Sequence, residues 1–167
     1  MTDILFLRGA PAFSVFRLQG LQQRIQSVVP GARVIGADYW HFVKLNGPLS
    51  DEGRQQLAAL LEERPVEAEV SGALFLVTPR IGTISPWSSK ATDIAWNCGL
   101  AAVERIERGI AFHLVLKGGR ALTAEERKLA VGLLHDRMTE SVIDGFAAAG
   151  ELFRHFEPKP LATVDIL

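Results

Sequence analysis

The stretch Arg33-Val34-Ile35-Gly36-Ala37-Asp38-Tyr39-Trp40-His41-Phe42-Val43-Lys44-Leu45 decides the fold of this chain. Its aliphatic and aromatic residues favour a long extended strand. Gly36 interrupts the alternation and marks a bulge or bend where the buried side can switch. A second run of the same character spans Val103 to Leu116. Arg33-Val34-Ile35 matches Arg105-Ile106-Glu107, and Trp40-His41-Phe42-Val43 matches Phe112-His113-Leu114-Val115, both at an offset of 72 residues. Leu49-Ser50-Asp51-Glu52 matches Leu122-Thr123-Ala124-Glu125 one residue further on, after an extra glycine.

The segments around these strands repeat in the same order. Ile4 to Arg8 reads as a strand, and Gly9-Ala10-Pro11 reads as a turn. Phe13, Phe16, Leu18, Leu21, Ile25 and Val28-Val29 then recur at helical spacing, with Ser14 as a cap and Pro30-Gly31 as the stop. After Arg33–Leu45, Ser50 caps a helix from Asp51 to about Glu63. A linker around Arg64-Pro65-Val66-Glu67 follows, and the pattern restarts. Leu74-Phe75-Leu76-Val77 is a strand, Pro86 to Cys98 a helix, Val103 to Leu116 a strand, and Thr123 opens a helix to about Met138. The expected fold is α/β of the α+β kind. It consists of two pseudo-repeated β-α-β-α units, about 1–66 and 72–140, forming mixed, mainly antiparallel sheets with helices on the outer faces. A period near 70 is too long for a solenoid and fits two copies packed as an intramolecular pseudo-dimer. Chance similarity between amphipathic units is the competing explanation.

Composition narrows the function. The chain has 167 residues, 48% hydrophobic and 22% charged, with a formal net charge of −1. That is enough to bury a core, and it lacks the basic excess of a non-specific nucleic-acid binder. No apolar stretch approaches the roughly 20 residues of a membrane span, and the first residues lack a signal-peptide pattern. These features predict a reduced, cytoplasmic domain without nucleic-acid or membrane partners. A lone cysteine, Cys98, allows no internal disulfide and no cysteine-based zinc site. Its apolar helix end predicts a buried structural thiol. His41, His113, His135 and His155 show no metal-ligand spacing. His41 and His113 fall at matching repeat positions, as satisfied strand histidines or as a pair at the pseudo-two-fold.

The densest motif is Thr78-Pro79-Arg80-Ile81-Gly82-Thr83-Ile84-Ser85-Pro86-Trp87-Ser88-Ser89-Lys90-Ala91-Thr92-Asp93-Ile94, a strand-loop-helix junction. Ser85-Pro86 fits an N-cap followed by proline at the first helical position. The hydroxyls of Thr83, Ser85, Ser88, Ser89 and Thr92, with the charges of Arg80, Lys90 and Asp93, could line a polar wall. A helix N-terminus among them favours an anion. Trp87 suits a contact surface between molecules. A capped helix with solvated polar residues and a core tryptophan is the simpler alternative. No G-x-G-x-x-G follows the first strand, and there is no Walker A motif. Thr123-Ala124-Glu125-Glu126 is a capping box, and Asp136-Arg137 with Glu140 reads as an ion pair late on the last helix or just past it.

The segment Thr78 to Leu100 resembles the signature of the N-terminal domain of large-type phosphoribosylformylglycinamidine synthase, the FGAM synthetase or FGAR amidotransferase of purine biosynthesis. So do Leu7 to Ser14, Glu107-Arg108-Gly109-Ile110-Ala111, Leu134 to Val142 and Pro160 to Leu167. One departure is Trp96, where histidine is the expected residue. The resemblance implies a domain like two fused copies of the PurS subunit over residues 1–142, with 143–167 starting a linker. It implies a non-catalytic scaffold that bridges synthetase and glutaminase domains of the same polypeptide and supports ammonia transfer. ATP and magnesium would belong to the parent enzyme, and no catalytic residue carries over to this chain. Arg80, Thr83, Ser85, Trp87, Ser88, Ser89, Lys90, Thr92 and Asp93 are then candidates to face partner domains or substrate. The alternative is a free-standing ferredoxin-like ligand-binding or regulatory module. The tail with Phe146, Phe153 and Phe156 has little to bury against, and the chain is expected to self-associate through it or leave it partly ordered.

Overall fold

The computed structural model describes residues 3–65, 73–80 and 84–143. Thr83, the Val66-Glu67 part of the linker and the phenylalanine-bearing tail lie outside them. The chain runs β1 (Asp3–Pro11), α1 (Val15–Val28), β2 (Ala32–Leu45), α2 (Asp51–Leu60), β3 (Ala73–Pro79), α3 (Pro86–Asn97), β4 (Val103–Leu116), α4 (Ala124–Leu134) and β5 (Glu140–Ile143). The β-α-β-α order occurs twice, as the sequence predicts, and the fold is α+β.

Local chemistry starts each helix. Ser14, Ser50, Ser85 and Thr123 each accept a backbone N–H three residues on, and Pro86 occupies the first turn of α3. Thr123 and Glu126 complete the capping box. The expected ends of two helices move inward. α2 stops at Leu60, and α4 stops at Leu134 rather than Met138. Asp136 and Glu140 therefore build a turn, not an intrahelical ion pair. The Asp136 N–H donates to Glu140 Oε1 at 2.8 Å, and the Met138 N–H donates to Asp136 Oδ1 at 2.8 Å. That turn leads into β5, a strand too short for its own periodicity to announce. Gly9-Ala10-Pro11 extends β1 instead of turning the chain, because the Ala12 N–H reaches Ala37 O at 2.9 Å past a register irregularity.

The strands form one sheet in the order β1-β2-β4-β3-β5, and every pairing is antiparallel. All four helices sit on one face. α1 and α4 cover Val34, Ala37, Phe75, Val77, Phe112 and Leu114. α2 and α3 cover Leu7, Val43, Leu45, Val103 and Ile106. Each cluster joins a helix from the first unit to one from the second, so neither unit could close its core alone. The other face carries Phe42, Leu76 and Ala111, with Ile4, Trp40, Leu74 and Ile143 around them. No helix among the described residues is long and apolar enough to cross a membrane.

The repeat is real, but its register differs from the sequence match. β2 carries one unpaired residue, Ile35, between Val34 and Gly36, and β4 carries one, Glu104, between Val103 and Arg105. These bulges are 69 positions apart, not 72, and a two-fold relating them runs through the Trp40–Gly109 pair. The reason is parity. Side chains alternate faces along a strand, so an offset that pairs His41 with His113 would have to place both on one face. They lie on opposite faces: His41 is on the helix side beside Gly9, and His113 is beside Gly36 and Asp38.

Candidate functional site

β4 is 14 residues long, but β3 covers only Ile110 to Leu114 of it. The edge from Val103 to Gly109 is left with backbone groups that must find partners. α3 lies along that edge and supplies them. The Ser88 hydroxyl donates to Ile106 O, Thr92 Oγ1 accepts the Ile106 N–H at 3.1 Å, and Trp96 Nε1 donates to Val103 O at 2.6 Å. These residues are four apart, which is one stripe of a helix. Trp96 is the last tooth of this comb.

The hydroxyl protons of Ser85, Ser88 and Thr92 are thereby spent inside the domain. Thr92 donates to Ser88 O at 2.7 Å. Ser85 accepts from the Ser88 N–H at 3.0 Å and donates to Glu107 Oε1 at 2.9 Å. Ser88 accepts from Arg105 Nε at 3.1 Å. Glu107 is fully buried and is ion-paired with buried Arg105. Burial lowers the Arg105 pKa from its ordinary value, and the Glu107 carboxylate opposes that shift. The structure therefore brings Ser85, Ser88 and Thr92 together around Arg105 and Glu107. It leaves Ser89, Lys90 and Asp93 exposed on the outer face of α3, and Arg80 exposed at the end of β3.

Trp87 turns the other way, toward the sheet. Its ring stacks on His41 at 5.6 Å between centroids. The Arg108 guanidinium lies 4.4 Å from the Trp87 ring centre and 4.3 Å from that of Tyr39, so it is held between two aromatic faces. Gly9 makes room for this stack, since a Cβ there would stand 2.7 Å from His41 Cε1. His41 is 6% exposed and its Nδ1 has no partner. Burial first, then the Arg108 charge, push its pKa down to about 4, against the Leu7 backbone. The imidazole is neutral at physiological pH.

Beyond the Val77–Ile110 pair, β3 leaves β4 and continues against β5 through Thr78–Ser141 and Pro79–Glu140. A cleft of about 260 Å³ opens there, lined by Tyr39, Thr78, Ser85, Trp87, Arg108 and Glu140 among others. Gly109 is needed at its floor, where a Cβ would come within 2.8 Å of Val77 O. Sequence reasoning singled out Trp87 and Ser85 but missed Arg108 and Tyr39 as their companions, because the spacing of one segment says nothing about which strand faces it. Cys98 departs from expectation. It caps α3 at the surface, and its thiol is exposed. Ala95 and Leu100 beside it point inward, while Ile94, Trp96 and Cys98 lie on the exposed side. Among the described residues no group of three or more His, Cys, Asp or Glu side chains could hold a metal ion.

The family described as formylglycinamide ribonucleotide amidotransferase N-terminal matches residues 38–153, more than half of the chain. The chain belongs to this family. The amidotransferase N-terminal match runs from β2 through β5 and includes α3 with its comb, the Arg105–Glu107 pair and the Arg108 stack. The internal two-fold agrees with the duplicated architecture that the family resemblance implies.

Proposed function

We propose that this chain is the non-catalytic scaffold domain of a glutamine-dependent FGAM synthetase in purine biosynthesis. It holds synthetase and glutaminase domains in register and supports ammonia transfer between them. The observation that carries this reading is the family match over residues 38–153. The geometry of α3 supports it. Ser85, Ser88 and Thr92 serve the domain's own edge, while Ser89, Lys90 and Asp93 turn outward with Ile94, which is 40% exposed. A polar helix face with an apolar residue in it suits a domain–domain contact. ATP and magnesium then act in the synthetase domain, and this chain holds neither.

The test is a double charge reversal, Lys90→Glu with Asp93→Lys, in the native enzyme that carries the domain. Both side chains are exposed, so the fold should survive. Glutamine hydrolysis should continue while FGAM formed per glutamine consumed falls several-fold, and activity with free ammonia should be retained. Unchanged coupling would refute this face as the contact.

A further inference from the structure

The Arg108 guanidinium has an unusual environment. Its carbon lies over the rings of both Tyr39 and Trp87, 4.3 and 4.4 Å from their centres, yet among the described residues the guanidinium has no carboxylate partner and no hydrogen-bond acceptor. A guanidinium carries five N–H donors in its plane. Those donors point outward in that plane, and the residue is half-buried in the wall of the cleft it lines. The neighbouring imidazole is neutral and does not compete for an acceptor. Thr78, 1% exposed and also lining the cleft, has a hydroxyl without a partner. Thr78 alternates with Val77 and packs by Gly109 and Phe42, on the sheet face opposite Arg108, so of the two it is the half-buried guanidinium that turns donors to the opening.

We propose that the cleft between β3 and β4 is a binding site for a small monocarboxylate, held in bidentate fashion by Arg108. The planar fork of a fixed guanidinium matches a carboxylate, and stacking has already removed the freedom that binding would otherwise cost. The volume of about 260 Å³ limits the ligand to a small molecule. Glu140 on the rim sets the charge. Its carboxylate is engaged at Oε1 by the Asp136 N–H but still contributes a negative field, which disfavours a phosphate dianion. The site does not use the outer face of α3 and stands independently of the scaffold reading.

The experiment is titration of the full 167-residue chain with acetate, benzoate and inorganic phosphate at constant ionic strength. Trp87 fluorescence and amide NMR shifts are the readouts. Saturable shifts at Ser85, Trp87, Arg108 and Gly109 are expected with a monocarboxylate, and weaker ones with phosphate. Arg108→Gln should abolish the response, and Arg108→Lys should weaken it at least tenfold, since an ammonium keeps the charge but loses the fork. Shifts that do not saturate, that map elsewhere in the wild-type protein, or that persist in Arg108→Gln would overturn the site. Tighter binding of phosphate than of either carboxylate would overturn the assigned ligand class. The wild-type map decides the question even if a variant fails to fold.

Discussion

The two halves solve the same structural problem with different chemistry. In the first, the bulged start of β2 has an uncovered edge, and α1 supplies Gln22 and Gln26, one helical turn apart. Gln22 Oε1 accepts the Val34 N–H at 3.2 Å, and Gln26 Nε2 donates to Ala32 O at 3.0 Å. In the second, α3 meets the edge of β4 with Ser88, Thr92 and Trp96, backed by the buried Arg105–Glu107 pair. Long amides reach the edge from a distance and stay partly solvated. Short hydroxyls bring the helix close, exclude water and bury an ion pair behind them. The same asymmetry continues at the two-fold. At the 69-residue offset of the bulges His41 corresponds to Ile110 and Tyr39 to Arg108, so the two sides of the two-fold carry unlike side chains at the stack under Trp87. The repeated element order provides the frame, and unlike residues at its centre line the cleft.

The comparison breaks most visibly at Glu107. Removing it by Glu107→Ala takes from buried Arg105 the carboxylate it pairs with and should cost about 3–5 kcal/mol in denaturant unfolding. A loss below 1 kcal/mol would mean that water reaches the pair. Next in size is a pH effect centred on His41, to which His113, whose pKa burial also lowers, adds in the same direction. The folded pKa of His41 is about 4 against 6.5 in the unfolded chain. Above pH 6.5 both states are neutral and stability is complete. As pH falls from 6.5 toward 4, the unfolded chain takes up a proton that the folded chain refuses. Stability should then drop by about 3 kcal/mol. The drop should be much smaller in His41→Gln, where His113 remains, and a parallel profile for that variant would remove His41 as its main source. The smallest effects sharpen the comparison directly. Thr92→Val orphans the buried Ile106 N–H and should cost about 1–3 kcal/mol. Gln22→Ala exposes the Val34 N–H to water and should cost less than about 1 kcal/mol. Equal losses at the two positions would mean that the two edges are equally dry.

Much of the fold was legible in the residues because its signals are local. Helix starts at Ser14, Ser50, Ser85 and Thr123 depend on a side chain reaching a backbone N–H three positions on. β5 was missed because four residues of pairing partner carry no period of their own. The site was half legible. The motif from Thr78 to Ile94 stands out by composition, and its hydroxyls read equally well as ligand donors or as edge caps. Only the approach of β4 shows which bonds they make. The stripe Ser88, Thr92, Trp96 was the available clue, since polar residues at helical spacing on a buried face need buried partners.

Residue order alone was enough for the duplicated β-α-β-α plan, the caps and the family resemblance, each carried by contacts within a few positions or by direct likeness. Tertiary structure decided the rest: a single sheet with all four helices on one face, the 69-residue register, and the Arg108 clamp. Those depend on which residues of distant strands lie opposite one another. A slip of a single position exchanges the two faces of a strand, so near-matches in sequence could not choose between registers, while the packing of four helices on one side could.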